Sequence, residues 1–262
     1  MSPSAPILVA LADASAQRRR AAQDLAERLD CALFAAPPDQ PGPALVFTAE
    51  RIELRDLGAG ADAGAVYCDF VHGANAHRQR YGGGRGQALA RACGVKPGVT
   101  PTVIDATAGL GRDAWVLATL GCEVIALERH PCVHALLRDG LERALEASAG
   151  RDIAARIQLH HADAVSWLAQ PVRADTIFLD PMFPARDKSA AVKKDLALLQ
   201  RLVHAETNDA AALLAAARAH GAKRIAVKRP VRAKPLADAA PQGTISGKTV
   251  RYDLYTSTAT PA

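Results

Sequence analysis

Thr102-Val103-Ile104-Asp105-Ala106-Thr107-Ala108-Gly109-Leu110-Gly111-Arg112-Asp113 is the stretch whose reading decides the fold. A short apolar run, Val103–Ile104, ends in the carboxylate of Asp105. A turn of small residues carrying Gly109 and Gly111 comes next, and a helix opens at Arg112–Asp113. Glycine admits positive φ and lets a ligand approach the backbone where a Cβ would clash. The helix behind it offers unpaired N–H groups. A strand, a glycine turn and a helix at the head of an α/β domain make a nucleotide-type cofactor cradle. Gly109–Ala114 also fits G-x-G-x-x-A, the dinucleotide fingerprint, so an NAD-dependent oxidoreductase stays open at this point.

Outward from that turn, strand and helix alternate. Glu123–Leu127, Ile157–His160, Thr176–Leu179, Arg224–Val227 and Val250–Tyr255 read as strands; Gln87–Cys93, Asp113–Leu120, His134–Ala147, Ala191–Ala205 and Asn208–His220 read as helices. Repeated β-α-β units with single crossovers imply a parallel sheet with helices on both faces, whose ligands sit at the carboxyl ends of the strands. Before it, Ile7–Leu11, Leu45–Thr48, Arg51–Arg55 and Val66–Val71 are strand candidates and Gln17–Leu29 a helix. The chain is therefore expected to hold a small β-rich α/β domain over 1–80 and a larger α/β domain over 81–262.

At 262 residues and 49% hydrophobic content the chain can bury a core. No apolar run reaches the ~20 residues of a membrane span, and Met1–Leu11 lacks the basic start of a secretory signal. The five cysteines are scattered without C-x-x-C spacing, which predicts reduced thiols in a cytoplasmic protein and no zinc site. The net charge of +5 is unevenly spread. Arg78, Arg80, Arg85, Arg91 and Lys96 succeed one another without an acid, and from Arg186 to Arg251 there are fourteen Lys/Arg against five Asp/Glu. This distribution implies a polyanionic partner, RNA or DNA. The arginines among the glycines of Gly82–Gly86 suit phosphate. Arg78, Arg80, Arg85, Arg186, Lys188, Lys193, Lys194, Lys228 and Arg229 are the candidate contacts.

Glu128 ends the second strand of the α/β domain, where a carboxylate can accept both hydroxyl protons of a ribose. Asp163 comes after the third strand, and either accepts from an adenine amino group or caps the helix that begins beside it. Asp180-Pro181-Met182-Phe183-Pro184 is the specific signal. Ile177-Phe178-Leu179 delivers a carboxylate to the sheet edge, and the two prolines stiffen the turn beyond it by fixing φ. Phe183 supplies an aromatic plate beside a rigid acceptor. That is equipment for a flipped-out base: the ring stacks and the oxygens take N–H protons. An oxidoreductase has no need of it.

These motifs together resemble a known family. The Asp105–Gly111 turn and the later Asp-Pro-x-Phe are similar to class I S-adenosylmethionine-dependent amino-methyltransferases. Asp69–Arg78, Gly82–Gly86, Asp105–Ala114, Leu127–Arg129, Leu179–Pro184, Lys188–Lys194, Val227–Pro230 and the terminal Arg-Tyr-Asp-Leu-Tyr resemble the ribosomal RNA small subunit methyltransferase J family, the 16S rRNA guanine-N2 methyltransferases. The likeness runs from about Leu45 to the end. It implies a class I Rossmann-like sheet, seven-stranded and mostly parallel, S-adenosylmethionine as cofactor, and 16S ribosomal RNA or the small subunit as partner. It also implies cofactor contacts at Arg112, Asp113, Glu128, Arg129, Asp163, Ala164 and Asp180, beside Asp105, Gly109 and Gly111. Asp163-Ala164 departs from the family's more usual hydroxylic pair. Asp180, the Pro181 carbonyl and Phe183 are the expected catalytic groups, with no metal, and the chain is read as a monomer. Adenine N6 fits the same grip as guanine N2, and a non-catalytic RNA-binding protein could keep the same fold.

Overall fold

Alternating apolar side chains fix both sheets of the protein. The computed structural model describes residues 7–11, 13–58, 64–72, 84–181, 192–203 (backbone alone up to 196), 210–247 and 249–258. In chain order these form β1 (Ile7–Ala10), α1 (Ala16–Leu29), β2 (Leu33–Phe34), β3 (Pro43–Phe47), β4 (Ile52–Asp56), α2 (Ala88–Ala92), β5 (Val103–Asp105), α3 (Arg112–Thr119), β6 (Val124–Glu128) and α4 (Pro131–Glu146). Then come α5 (Arg151–Ala154), β7 (Ile157–His161), α6 (Ala164–Trp167), β8 (Thr176–Leu179), α7 (Val192–Val203), α8 (Ala210–Ala219), β9 (Arg224–Pro230), β10 (Gly243–Ser246) and β11 (Val250–Tyr255).

Two units share the chain: Met1–Cys68 with His130–Gly140 and Pro184–Thr207, and Asp69–Arg129 with Leu141–Phe183 and Asn208–Ala262. The boundary expected between 80 and 81 falls outside the described residues. The smaller unit takes in later segments because side chains tie them to it. Asp139 of α4 pairs with Arg18 of α1, and Arg201 of α7 pairs with Asp56.

In the smaller unit the strand order is β2-β1-β3-β4, with β1 parallel to β2 and β3, and β4 returning antiparallel to β3. Leu8, Val9, Leu45, Val46 and Leu54 are fully buried there. The Ser15 hydroxyl accepts from the Arg18 N–H and starts α1, as serine does at an N-cap. The strand expected over Val66–Val71 is reduced to one bridge, Val66 with Leu54. Asp69 is the reason: its Oδ1 accepts from the N–H groups of Val71 and His72 and bends the chain. The short β2 was not anticipated from the sequence.

The larger unit holds a seven-stranded sheet of order β10-β11-β9-β8-β5-β6-β7. β7, β6, β5, β8 and β9 run parallel; β11 lies antiparallel to both β9 and β10. Neighbouring residues face opposite sides. Ile104, Ile177, Leu179, Ile225 and Val227 pack with Trp167 and with Leu213, Leu214 and Ala217 of α8. Val103, Phe178, Ala226 and Tyr252 pack on the other face with Leu89 of α2 and Ala114 and Leu117 of α3. Helices therefore cover both faces, as the alternating pattern predicts. β10 went unread in the sequence, because Gly243-Thr244-Ile245-Ser246 carries one aliphatic residue and only its pairing to β11 makes it a strand.

Candidate active site

The same alternation assembles a charged cluster at the carboxyl ends of the parallel strands. Asp105, Asp180 and Lys228 each come directly after a residue of the α8 face, so each turns to the α3 face. Leu179 pairs with Val227, which sets Asp180 and Lys228 side by side at one level. Asp113, in the first turn of α3, comes down on the same face. The Lys228 ammonium donates to Asp113 Oδ2 at 2.6 Å and to Asp180 Oδ2 at 2.7 Å. The Asp113 and Asp180 side chains are 9% and 35% exposed, and Asp105 is 1% exposed.

The glycine turn is pinned on both sides. Ala106 N–H donates to Phe178 O on β8, and Ala108 N–H donates to Leu127 O on β6. Thr107 links two acids: its N–H donates to Asp105 Oδ1 at 3.1 Å, and its hydroxyl accepts from Asp180 N–H at 2.6 Å. Gly109 and Gly111 take φ values of +53° and +72°, the left-handed region that a side chain resists. Gly109 N–H donates to Glu128 Oε2 at 3.0 Å, so the acid that ends β6 already grips the turn.

Three carboxylates around one ammonium strain the charge balance. Burial pushes Asp105 up to about 8, with Asp113 adding to the push, so Asp105 is mostly protonated at neutral pH. Burial also raises Asp180, while Lys228 opposes it. Burial alone would lower Lys228, but Asp113 and Asp180 outweigh that and hold it firmly charged.

A family model described as putative SAM-dependent methyltransferase matches residues 24–257. A ribosomal RNA small subunit methyltransferase J of Yersinia pestis (strain Pestoides F) is 52% identical over 225 residues, 85% of this chain and 87% of that protein. The chain belongs to the ribosomal RNA small subunit methyltransferase J family. Its relative in Yersinia pseudotuberculosis serotype O:3 (strain YPIII) is 51% identical over 226 residues, with 85% and 87% of the two chains covered. The crystal structure of a SAM-dependent methyltransferase from Neisseria gonorrhoeae superposes with a TM-score of 0.76 at 34% identity, covering 97% of both chains. Family membership makes S-adenosylmethionine the cofactor and sets aside the dinucleotide reading of Gly109–Ala114.

The residues fit that cofactor in this methyltransferase. S-adenosylmethionine brings a sulfonium and an ammonium, and Asp105, Asp113 and Asp180 set carboxyl groups at the strand ends. The left-handed glycines leave backbone open beside Glu128: a Cβ on Gly109 would meet nothing nearer than Thr107 O at 3.9 Å. Arg112 and Arg129 are exposed at the starts of α3 and of the segment after β6. Arg129 O is bonded by His161 Nε2 at 3.0 Å. Asp163 is exposed and caps α6, its Oδ1 accepting from Ser166 N–H at 2.9 Å, with Ala164 buried behind it. Pro181 is buried directly after Asp180.

The RNA-facing expectations meet a different geometry. Lys228 lies inside the acidic cluster rather than on an outer surface, because its strand register delivers it there. Arg229 is 8% exposed, and its guanidinium donates to Lys234 O at 2.9 Å, which removes it from a phosphate's reach. Arg85 sits by Cys122, before β6, at the opposite end of the sheet from Asp180. Burial lifts that thiol to about 11, and the Arg85 charge opposes the lift. Arg78, Arg80, Arg186, Lys188 and Phe183 lie outside the described residues, and the side chains of Lys193 and Lys194 on α7 lie outside them too. Two participants escaped the sequence reading. Thr107 was one, a lone hydroxyl in an alanine and glycine turn. The clamping role of Lys228 was the other; its signal is a lysine placed directly after a buried strand, Ile225-Ala226-Val227.

Proposed function

We propose that the protein transfers a methyl group from S-adenosylmethionine to the exocyclic N2 of a guanosine in 16S ribosomal RNA, acting in the cytoplasm on RNA or on the small subunit. The names of its relatives support ribosomal RNA of the small subunit as substrate. The observation that carries the chemistry is the placement of Asp180. It directly follows β8, one strand from the glycine turn, with Oδ2 held by Lys228 and no hydrogen bond at Oδ1 among the described residues.

When bound, the cofactor supplies an electrophilic methyl on sulfur. Asp105, Gly109, Gly111, Arg112, Asp113, Glu128, Arg129, Asp163 and Ala164 are the residues to hold it, with Glu128 on the ribose and Asp163 on the adenine. The N2 lone pair of guanine is delocalised into the ring, so the protein's task is to localise it. Asp180 Oδ1 and the Pro181 carbonyl accept the two N2 hydrogens, which pyramidalises the nitrogen and aims its lone pair away from both acceptors. Phe183 stacks on the base. As the N–C bond forms, the nitrogen becomes acidic, and its extra proton leaves to Asp180 or to water. Positioning is the main contribution, of the kind worth up to ~7–11 kcal/mol.

Nucleoside mass spectrometry of small-subunit RNA treated with the protein and labelled S-adenosylmethionine tests this. The expected product is N2-methylguanosine. N6-methyladenosine would move the target base, and no methylated nucleoside would leave only an RNA-binding protein.

A further inference from the structure

Asp105 and Asp113 lie close to Asp180, and among the described residues Lys228 is the cation that bonds the cluster. From β5 comes Asp105, from α3 Asp113 and from β9 Lys228. The Lys228 side chain is 22% exposed, and its Nζ bonds both Asp113 and Asp180 within 2.7 Å. This is tighter than a surface pair needs, and a carboxylate fixed through one oxygen keeps the other in one direction.

We propose that Lys228 is a positioning residue for methyl transfer: anchored by Asp113, it holds Asp180 through Oδ2 and keeps Oδ1 an ionised acceptor for the substrate amine. The proposal depends on the reading of Asp180 as the group that accepts the amine hydrogens. The chemistry needs the anion. A protonated Asp180 presents an O–H donor, and two donors facing each other repel the amine. Burial and the Asp113 charge both push Asp180 towards that protonated form, and Lys228 is the group opposing them. Asp105 is already mostly neutral, so the live charges are Asp113, Asp180 and Lys228.

The two neighbours therefore act on Asp180 with opposite signs, and this separates positioning from simple structural support. Full-length wild type, Lys228→Met, Lys228→Arg, Asp113→Asn, the double variant Asp113→Asn/Lys228→Met, and Asp180→Ala would be assayed for tritiated methyl transfer to small-subunit RNA from pH 5.5 to 9. S-adenosylmethionine binding would be measured by calorimetry. Lys228→Met should lower kcat about 100-fold near pH 6.5 and move the acid limb of the kcat profile upward by about 1–3 pH units. Its affinity for S-adenosylmethionine should stay within about threefold. Asp113→Asn should move the limb downward, and Lys228→Arg should recover much of kcat at the wild-type limb. Lys228→Met takes the Lys228 cation away from buried Asp113; if it fails to fold, the double variant removes that charge and should still show the raised limb. An unmoved limb in whichever of the two folds, or a shift of the same sign in Asp113→Asn, overturns the proposal. Asp180→Ala separates the two levels of failure. If it is inactive while Lys228→Met matches wild type, the Lys228 proposal alone falls; if Asp180→Ala stays active, the reading of Asp180 falls and takes the proposal with it.

Discussion

Buried acids of the unit that holds the four-stranded sheet and the acids at the carboxyl edge of the seven-stranded sheet are treated in opposite ways. Glu53, 5% exposed, lies between Arg51 Nε at 2.7 Å and an Arg55 guanidinium nitrogen at 2.6 Å. Asp139, 4% exposed, takes Arg18 Nε at 3.0 Å and the Ile52 N–H at 3.2 Å. Each acid has at least one cation of its own, and its lone pairs are used. At the other edge, among the described residues, Asp113 and Asp180 both bond the Lys228 ammonium, and Asp105 is buried close enough to feel their charge. A buried charge is costly unless it is paired. Acids with a cation each mark architecture; acids that hold one cation in common at strand ends mark a place suited to a cationic ligand. S-adenosylmethionine has that character.

The largest effect should come from the unbalanced edge. Asp180→Ala is expected to lower methyl transfer by about 10³-fold, the scale of a lost acid–base or electrostatic group. Affinity for S-adenosylmethionine, measured by calorimetry, should change by only a few-fold. Loss of cofactor binding with it would make Asp180 a cofactor ligand instead. The balanced sheet should answer in stability and not in chemistry. Asp139→Asn removes the charge that pairs with Arg18 and weakens the Ile52 contact, a loss of about 1–3 kcal/mol. Thermal melting should fall while kcat at a permissive temperature holds; a fall in kcat without a fall in melting temperature would contradict this division.

Glu128 sits between the two regimes, since its carboxylate braces the Gly109 N–H and is the group proposed to hold the ribose. Glu128→Ala should weaken S-adenosylmethionine binding about 10–100-fold, the value of one or two hydrogen bonds to a charged group. kcat at saturating cofactor should stay near wild type, and a kcat loss at unchanged affinity would deny Glu128 its ribose role.

What could be read from the sequence divides along the same line. Local patterns were legible: the apolar runs ending in Asp105, Glu128 and Asp180 fixed strand ends, and the left-handed glycines were visible as glycines. Partnerships across long separations were not. Lys228 lies 48 residues from Asp180 and 115 from Asp113, and it reads as one more lysine in a basic segment. Only the Leu179–Val227 register brings it to the acids. Arg229 was misplaced for a similar reason: one residue further along β9 points to the opposite face, where it is buried and holds Lys234 O. Charge density in a sequence counts cations without telling which are already spent on acids or carbonyls. Asp163 shows the middle case, because a helix cap and an adenine acceptor ask for the same residue at the same place, and the cap uses one oxygen only.

Per pH unit the smallest effect, at most about 1.4 kcal/mol, should come from Asp105. Its carboxyl is held at about 8 by burial first and by Asp113 second, against 3.8 when unperturbed. Between those values the folded protein binds a proton that the unfolded chain does not. Its contribution to stability is therefore complete below about pH 4 and is lost as the pH rises through 8. Asp105→Asn cannot ionise and should lack this slope, so wild type and variant should melt alike in acid and diverge towards pH 8, with the variant the more stable. A cationic ligand beside Asp105 favours the ionised form, so S-adenosylmethionine should bind wild type more tightly as pH rises from 6 to 8, and the variant should show no such gain. Parallel melting curves from pH 5 to 8.5, with equal ligand dependence, would mean that Asp105 is ionised throughout and that the edge holds its three negative charges without help.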